Sequence, residues 1–309
     1  MKFSLIITAA YTALAISTYN VRADDDPAQI AKSIAKGGST TLQQLSKQWK
    51  VKSDVFAEDN GPYTATVVEN WQLPSGSQCC VLRINDQLQW NYQYWIFLRD
   101  DKVWRLVAVR DSTVQKYSPP DQHIVRLGKQ HTYLAIREMT QTGTGVQTVS
   151  ESWYDVHADG LREVFSIPVE GYLSGWALPF DREYSTRIVG MTEDPTPLVD
   201  VVVSAKYSNA LESLSEVKDL FSIHRTAQFK WSPAHERFEI DGAASQISEE
   251  GIRGLTNDGV VEFLQHNYKE LQVLARSPKS GVRQWLKAFL KECSAGPEKT
   301  SLLKLLSKS

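Results

Sequence analysis

Between residues 63 and 240 the chain runs through short stretches rich in Val, Ile, Thr, Tyr, Phe and Trp, most of them bounded by Gly, Pro, Asn, Asp or Ser. Apolar and polar residues tend to alternate within them. Period-two runs separated by turn residues are the pattern of antiparallel strands, and they fix the class of fold before any single residue is considered. Strands are expected over 63–73, 79–84, 90–98 and 103–109, with Arg99-Asp100-Asp101-Lys102 as a hairpin turn between the last two. A second meander follows over 131–139, 146–156 and 161–169, with further strands at 186–190, 198–207, 223–231 and 237–240. Ser118-Pro119-Pro120 reads as the joint between the two sets.

Helical signals flank this region. Asp26 before Pro27 is a capping acid ahead of a proline at the first helical position, and Gly37-Gly38 is expected to end that helix. A second begins at Ser39-Thr40, where Thr40 and Gln43 have capping-box spacing. Beyond residue 246, Ser248 and Asp258 open helices, the latter long and carrying Val261, Leu264, Tyr268, Leu271 and Ala275 on one side. Val282, Trp285, Leu286, Phe289 and Cys293 line the next, and Pro297 starts a last one with Leu302, Leu305 and Leu306. The expected fold is α+β: antiparallel β-meander sheets with short N-terminal helices and a C-terminal helical segment. Four regions follow: a leader over 1–23, an N-terminal α+β lobe over 24–120, a second β-rich lobe over 121–245, and a helical segment over 246–309 that packs on the sheets.

The leader is read from Lys2, an apolar run over 3–16 and Val21-Arg22-Ala23 before Asp24, the order of parts in a cleaved secretory signal peptide. Cleavage is expected between Ala23 and Asp24, and Ala13-Leu14-Ala15 offers an earlier site. The expected location is therefore periplasmic or secreted, with no stable membrane anchor after the leader is removed. Losing Lys2 and Arg22, and no acid, moves the net charge from −2 to −4. A mildly acidic chain without a basic cluster does not suit nucleic acid.

Chemistry is sparse. Adjacent Cys79 and Cys80 point to opposite faces of a strand, so they cannot share one metal. An oxidising exterior permits one bridge, from Cys293 to whichever of the pair faces inward; the alternative is buried free thiols. On the strand at 90–98, Trp90, Tyr92 and Tyr94 alternate with Asn91, Gln93 and Trp95. Such a row can stack sugar rings, although aromatics in strands more often pack in a core, which is the favoured reading. The six histidines, His123, His131, His157, His224, His235 and His266, make no metal-ligand motif. No cofactor-binding motif is found, and residues 171–175 miss the spacing of a serine-nucleophile turn. Glu138, Glu151, Asp155 and Glu163 could supply a carboxylate pair from the second meander. The expectation is a non-catalytic binding or interaction protein with a protein or glycan partner, the alternative an extracytoplasmic hydrolase of a glycan or other polymer. A third reading has the C-terminal leucines dock on a partner.

Overall fold

The structure is a computed structural model that describes residues 16–23, 26–51, 62–86, 91–113, 120–174, 178–193, 196–257 and 259–308. Asp26 is extended, and its carboxylate accepts the Gln29 N–H at 2.9 Å, so helix α1 (Pro27–Gln48) starts where acid then proline predicts. Gly38, at φ 56° and ψ −141°, kinks this helix and leaves no gap between two separate ones. A side chain is strained in that backbone region, which is why glycine marks the bend.

The first sheet contains β1 (Ile16–Ala23), β2 (Tyr63–Gln72), β3 (Gln78–Asp86), β4 (Asn91–Asp100) and β5 (Val103–Thr113), in the order β1-β5-β4-β3-β2. Asp101 and Lys102 both have positive φ, the twist that a tight two-residue hairpin between β4 and β5 demands. The second sheet is a sequential meander of β6 (Asp121–Leu127), β7 (His131–Gly143), β8 (Val146–His157), β9 (Gly160–Leu173), β10 (Phe180–Thr192), β11 (Leu198–Asn209), β12 (Asp219–Ser232) and β13 (Arg237–Ile240). Every pairing is antiparallel. The C-terminal helices are α2 (Glu249–Asn257), α3 (Val260–His266), α4 (Tyr268–Ala275), α5 (Ser280–Glu292) and α6 (Pro297–Lys308).

Three buried clusters show how these elements stack. Ile30, Ile34, Leu42 and Trp49 of α1 and its end pack on Cys80, Leu82, Trp95 and Phe97, the outer face of the first sheet. The Trp49 and Trp95 rings lie 5.2 Å apart. Cys79, Val81, Tyr94 and Ile96, pointing the other way, meet Leu134, Ile136, Tyr154 and Val156 of the second sheet. The opposite face of that second sheet packs on Phe263, Leu271, Trp285, Phe289 and Leu302 of the helices. The layers therefore run helix, sheet, sheet, helices, an α+β fold dominated by strands.

Several expectations change. β1 occupies the end of the stretch assigned to the leader, and residues 1–15 and Asp24 lie outside the described residues. β6 is an additional strand, and β10 begins well before residue 186. The single long helix expected after residue 258 is broken at Asn267 into α3 and α4, and Asp258 is not among the described residues. Leu302 and Leu306 are core, with Leu305 packed against it, so they form no exposed docking stripe.

An ion pair joins the two sheets. Arg110 of β5 is fully buried, and its guanidinium grips the Glu138 carboxylate of β7, one contact at 3.3 Å and a closer one beside it. Its Nε donates to the Tyr154 hydroxyl at 3.0 Å, and Ser112 Oγ also donates to Glu138. Burial alone would push Arg110 towards neutrality; Glu138 and Tyr154 more than reverse that and hold it charged. Removing one partner leaves a bare charge in an apolar layer. Glu138→Ala is expected to cost about 3–5 kcal/mol in urea denaturation, and Arg110→Met with Glu138→Leu to recover most of it. A loss below about 1 kcal/mol for Glu138→Ala would contradict this account.

Candidate functional site

Most residues singled out from sequence are committed to structure. Tyr92, Tyr94 and Trp95 are 2%, 0% and 0% exposed, so they offer no platform to a sugar; Trp90 lies outside the described residues. Strand β4 is central in its sheet and covered on both sides, which buries both of its faces. Trp95 Nε1 donates to Gln93 within the strand.

Cys79, Cys80 and Cys293 are free, buried and divided among three different clusters, so the long-range bridge is absent from this structure. Burial pushes the Cys80 thiol up to about 12 and Cys293 up to about 11, and raises Cys79 well above its ordinary value. Their thiolates are disfavoured, and the thiols act as small apolar groups.

The four acids have different partners. Glu138 is spent on Arg110. Glu151 accepts Trp153 Nε1 at 2.8 Å, and Asp155 lies 3.0 Å from His157 Nε2. Glu163 reaches back to the Tyr154 hydroxyl at 3.4 Å, so Glu138 and Glu163 do meet around Tyr154. Glu138, however, is buried and neutralised. Among the described residues, no group of three or more His, Cys, Asp or Glu has the geometry to hold a metal.

The feature that sequence reasoning missed is a cleft. Strand β9 pairs with β8 along its length but with β10 only from Glu170 to Leu173, so among the described residues the other edge of residues 160–169 is in no ladder. β13, itself a sheet edge, approaches β9, and Arg162 and Glu236 form an ion pair across the gap. Helix α2 forms the remaining wall. The cavity between them measures about 440 Å³, within the range of roughly 300–1,000 Å³ typical of ligand pockets.

Every residue from 163 to 168 lines it. Val164, at the bulge opposite Trp153 and Tyr154, shares the core face of Phe165 and Ile167, while Glu163 and Ser166 point the other way, so a cavity touched by all of them lies along the strand's edge, beside its backbone. Beneath the cavity lies the apolar core: Phe165, Ile167, Phe229, Phe238 and Ile252 are buried, and Ile240 is partly so. Phe165 is braced by Trp153 at 4.6 Å and Phe229 at 5.1 Å between ring centres. The rim charges are already matched, Arg237 with Glu239 at 3.2 Å and Arg253 with Glu249 at 2.5 Å.

Glu163 sits where the cleft meets the inter-sheet cluster. Burial raises its pKa, and Arg110 and the Tyr154 hydroxyl pull it back only in part. Glu239 is the reverse case: burial works upward, but hydrogen bonds from Ser232, Arg237 and His235 leave it lowered. One sequence signal did point to the edge. Pro168 has no N–H to give to a ladder, and proline inside a strand marks an edge or a bulge; here it stands at both, beside the register shift at Val149/Ser150.

No family model, curated protein or solved structure matches the chain.

A raised pKa means that the folded state binds the Glu163 proton more tightly than the unfolded chain does. Its contribution to stability is thus present in acid and lost as pH rises above the ordinary value of 4.5 through the raised one. Glu163→Gln should flatten the stability-against-pH curve in that window. An unchanged slope would show that Glu163 titrates as if in solvent.

Proposed function

We propose that the protein is an exported binding or interaction protein that holds a peptide or glycan in the β9 cleft without transforming it. The cleft carries this reading: it runs along a strand edge that is in no ladder among the described residues, and its rim of self-matched charges leaves orientation to polar contacts. Thr140, Ser150 and Ser166 supply hydroxyls along one side. Export is supported by Lys2, the apolar run and Val21-Arg22-Ala23. No helix among the described residues is long and apolar enough to cross a membrane. A mildly acidic chain is a poor fit to nucleic acid.

The hydrolase reading retains one favourable observation, a carboxyl with a raised pKa at the cleft. Against it stands the second carboxylate: Glu138 is buried against Arg110, and the other carboxylates of the cleft, Glu239 and Glu249, are paired with Arg237 and Arg253.

Two experiments separate these readings. Labelled protein on peptide and glycan arrays should give signal that Thr256→Trp, a cleft-filling change on α2, abolishes while the circular dichroism spectrum is unchanged. Hydrolysis of a fluorogenic glycoside or peptide, lost in Glu163→Gln, would instead establish an enzyme. Separately, intact mass of the exported protein should start at Asp24. A start at Ile16 would place cleavage before β1 and keep that strand, and an intracellular chain starting at Met1 would overturn export.

A further inference from the structure

The shape and hydrogen-bonding character of the cleft narrow its ligand, taking the binding reading as the premise. A glycan presents hydroxyls all round, and a lipid presents no donors along its chain. The cleft instead offers one side of a strand backbone over residues 160–169, unpaired by any other strand among the described residues, beside the edge of β13. An unpaired strand edge is a template for another strand.

We infer that the ligand is an extended peptide from another protein, which adds to β9 as an antiparallel or parallel strand along residues 163–167. The cleft-lining run 163–168 extends about 17–20 Å, the length of an ordinary strand. A peptide strand lies about 4.8 Å from its neighbour, which places alternate side chains of the guest over Phe165, Ile167, Phe238 and Ile252. The other side chains of the guest fall on the face of β9 that carries Ser166. The guest is therefore apolar at every second position and polar between. Because Arg237–Glu239 and Arg253–Glu249 neutralise each other, it carries no required charge.

Pro168 limits the register. It donates nothing, so the ladder ends there and the guest cannot extend into the β9–β10 pairing that begins at Glu170. At the other end, the Arg162–Glu236 ion pair closes the cleft. The guest fits between these two stops, which selects a short extended segment over a long one.

The test pans random dodecapeptides displayed on phage against the exported full chain, with the Thr256→Trp protein as the counter-selection. A synthetic consensus peptide should then slow hydrogen exchange of the outward amides in 163–167 by about tenfold or more. The same peptide N-methylated at alternate residues should bind about tenfold or more weaker, since it loses ladder donors but keeps its side chains. Equal binding of the N-methylated peptide, or protection elsewhere in the chain, overturns the strand-addition proposal. If no peptide is enriched but chitotriose protects the same amides, the ligand class is wrong and the binding reading stands. If neither probe protects the segment, both fall.

Discussion

How β9 divides its two edges sets the form of the second lobe. Its pairing with β8 is complete, while its pairing with β10 covers only residues 170–173. A flat eight-stranded sheet would require β10 along the whole of β9. Leaving that edge free lets the later strands turn away, so that β13 comes back towards β9 and the aromatic side chains of both enclose one interior. Tyr133, Trp153, Phe165, Trp231 and Phe238 meet there, and Phe238 makes edge contacts with the other four. The cleft is what remains where this closure is incomplete, and α2 lies alongside the gap.

The inter-sheet layer answers a different demand. Two sheets packed face to face usually share an apolar core, and most of this one is apolar. Arg110 is the exception, and a charge there is tolerable only with its partners assembled from both sheets. Because Arg110 belongs to β5 and Glu138 to β7, the pair fixes the register of one sheet on the other. Glu163 stands at the margin of the same cluster, which links the electrostatics of the layer to one end of the cleft.

Much of this was legible in the residues. Turn chemistry and alternation located most strands, Asp26-Pro27 located α1, and the opposite facing of Cys79 and Cys80 follows from strand geometry alone. β10 was cut short because Arg182 lies between Phe180 and Tyr184 on the inward face, where a charge hides the apolar pattern. Arg182 donates there to the Gly254 carbonyl at 2.7 Å. β6 was missed because only Val125 and Leu127 are buried within it. The described aromatics of β4 are core, as the favoured reading has them, although sequence alone cannot say that the sheet is covered on both faces. The cleft itself joins residues near 165, 238 and 252 through long-range packing, and Pro168 was the one local sign of it.

Hydrogen exchange of the free protein tests the open edge most directly. The account predicts an alternating pattern over residues 163–167: amides directed at β8 are slow, and those directed into the cleft exchange far faster. Uniform protection across this stretch would mean that the edge is already satisfied, and would contradict the account.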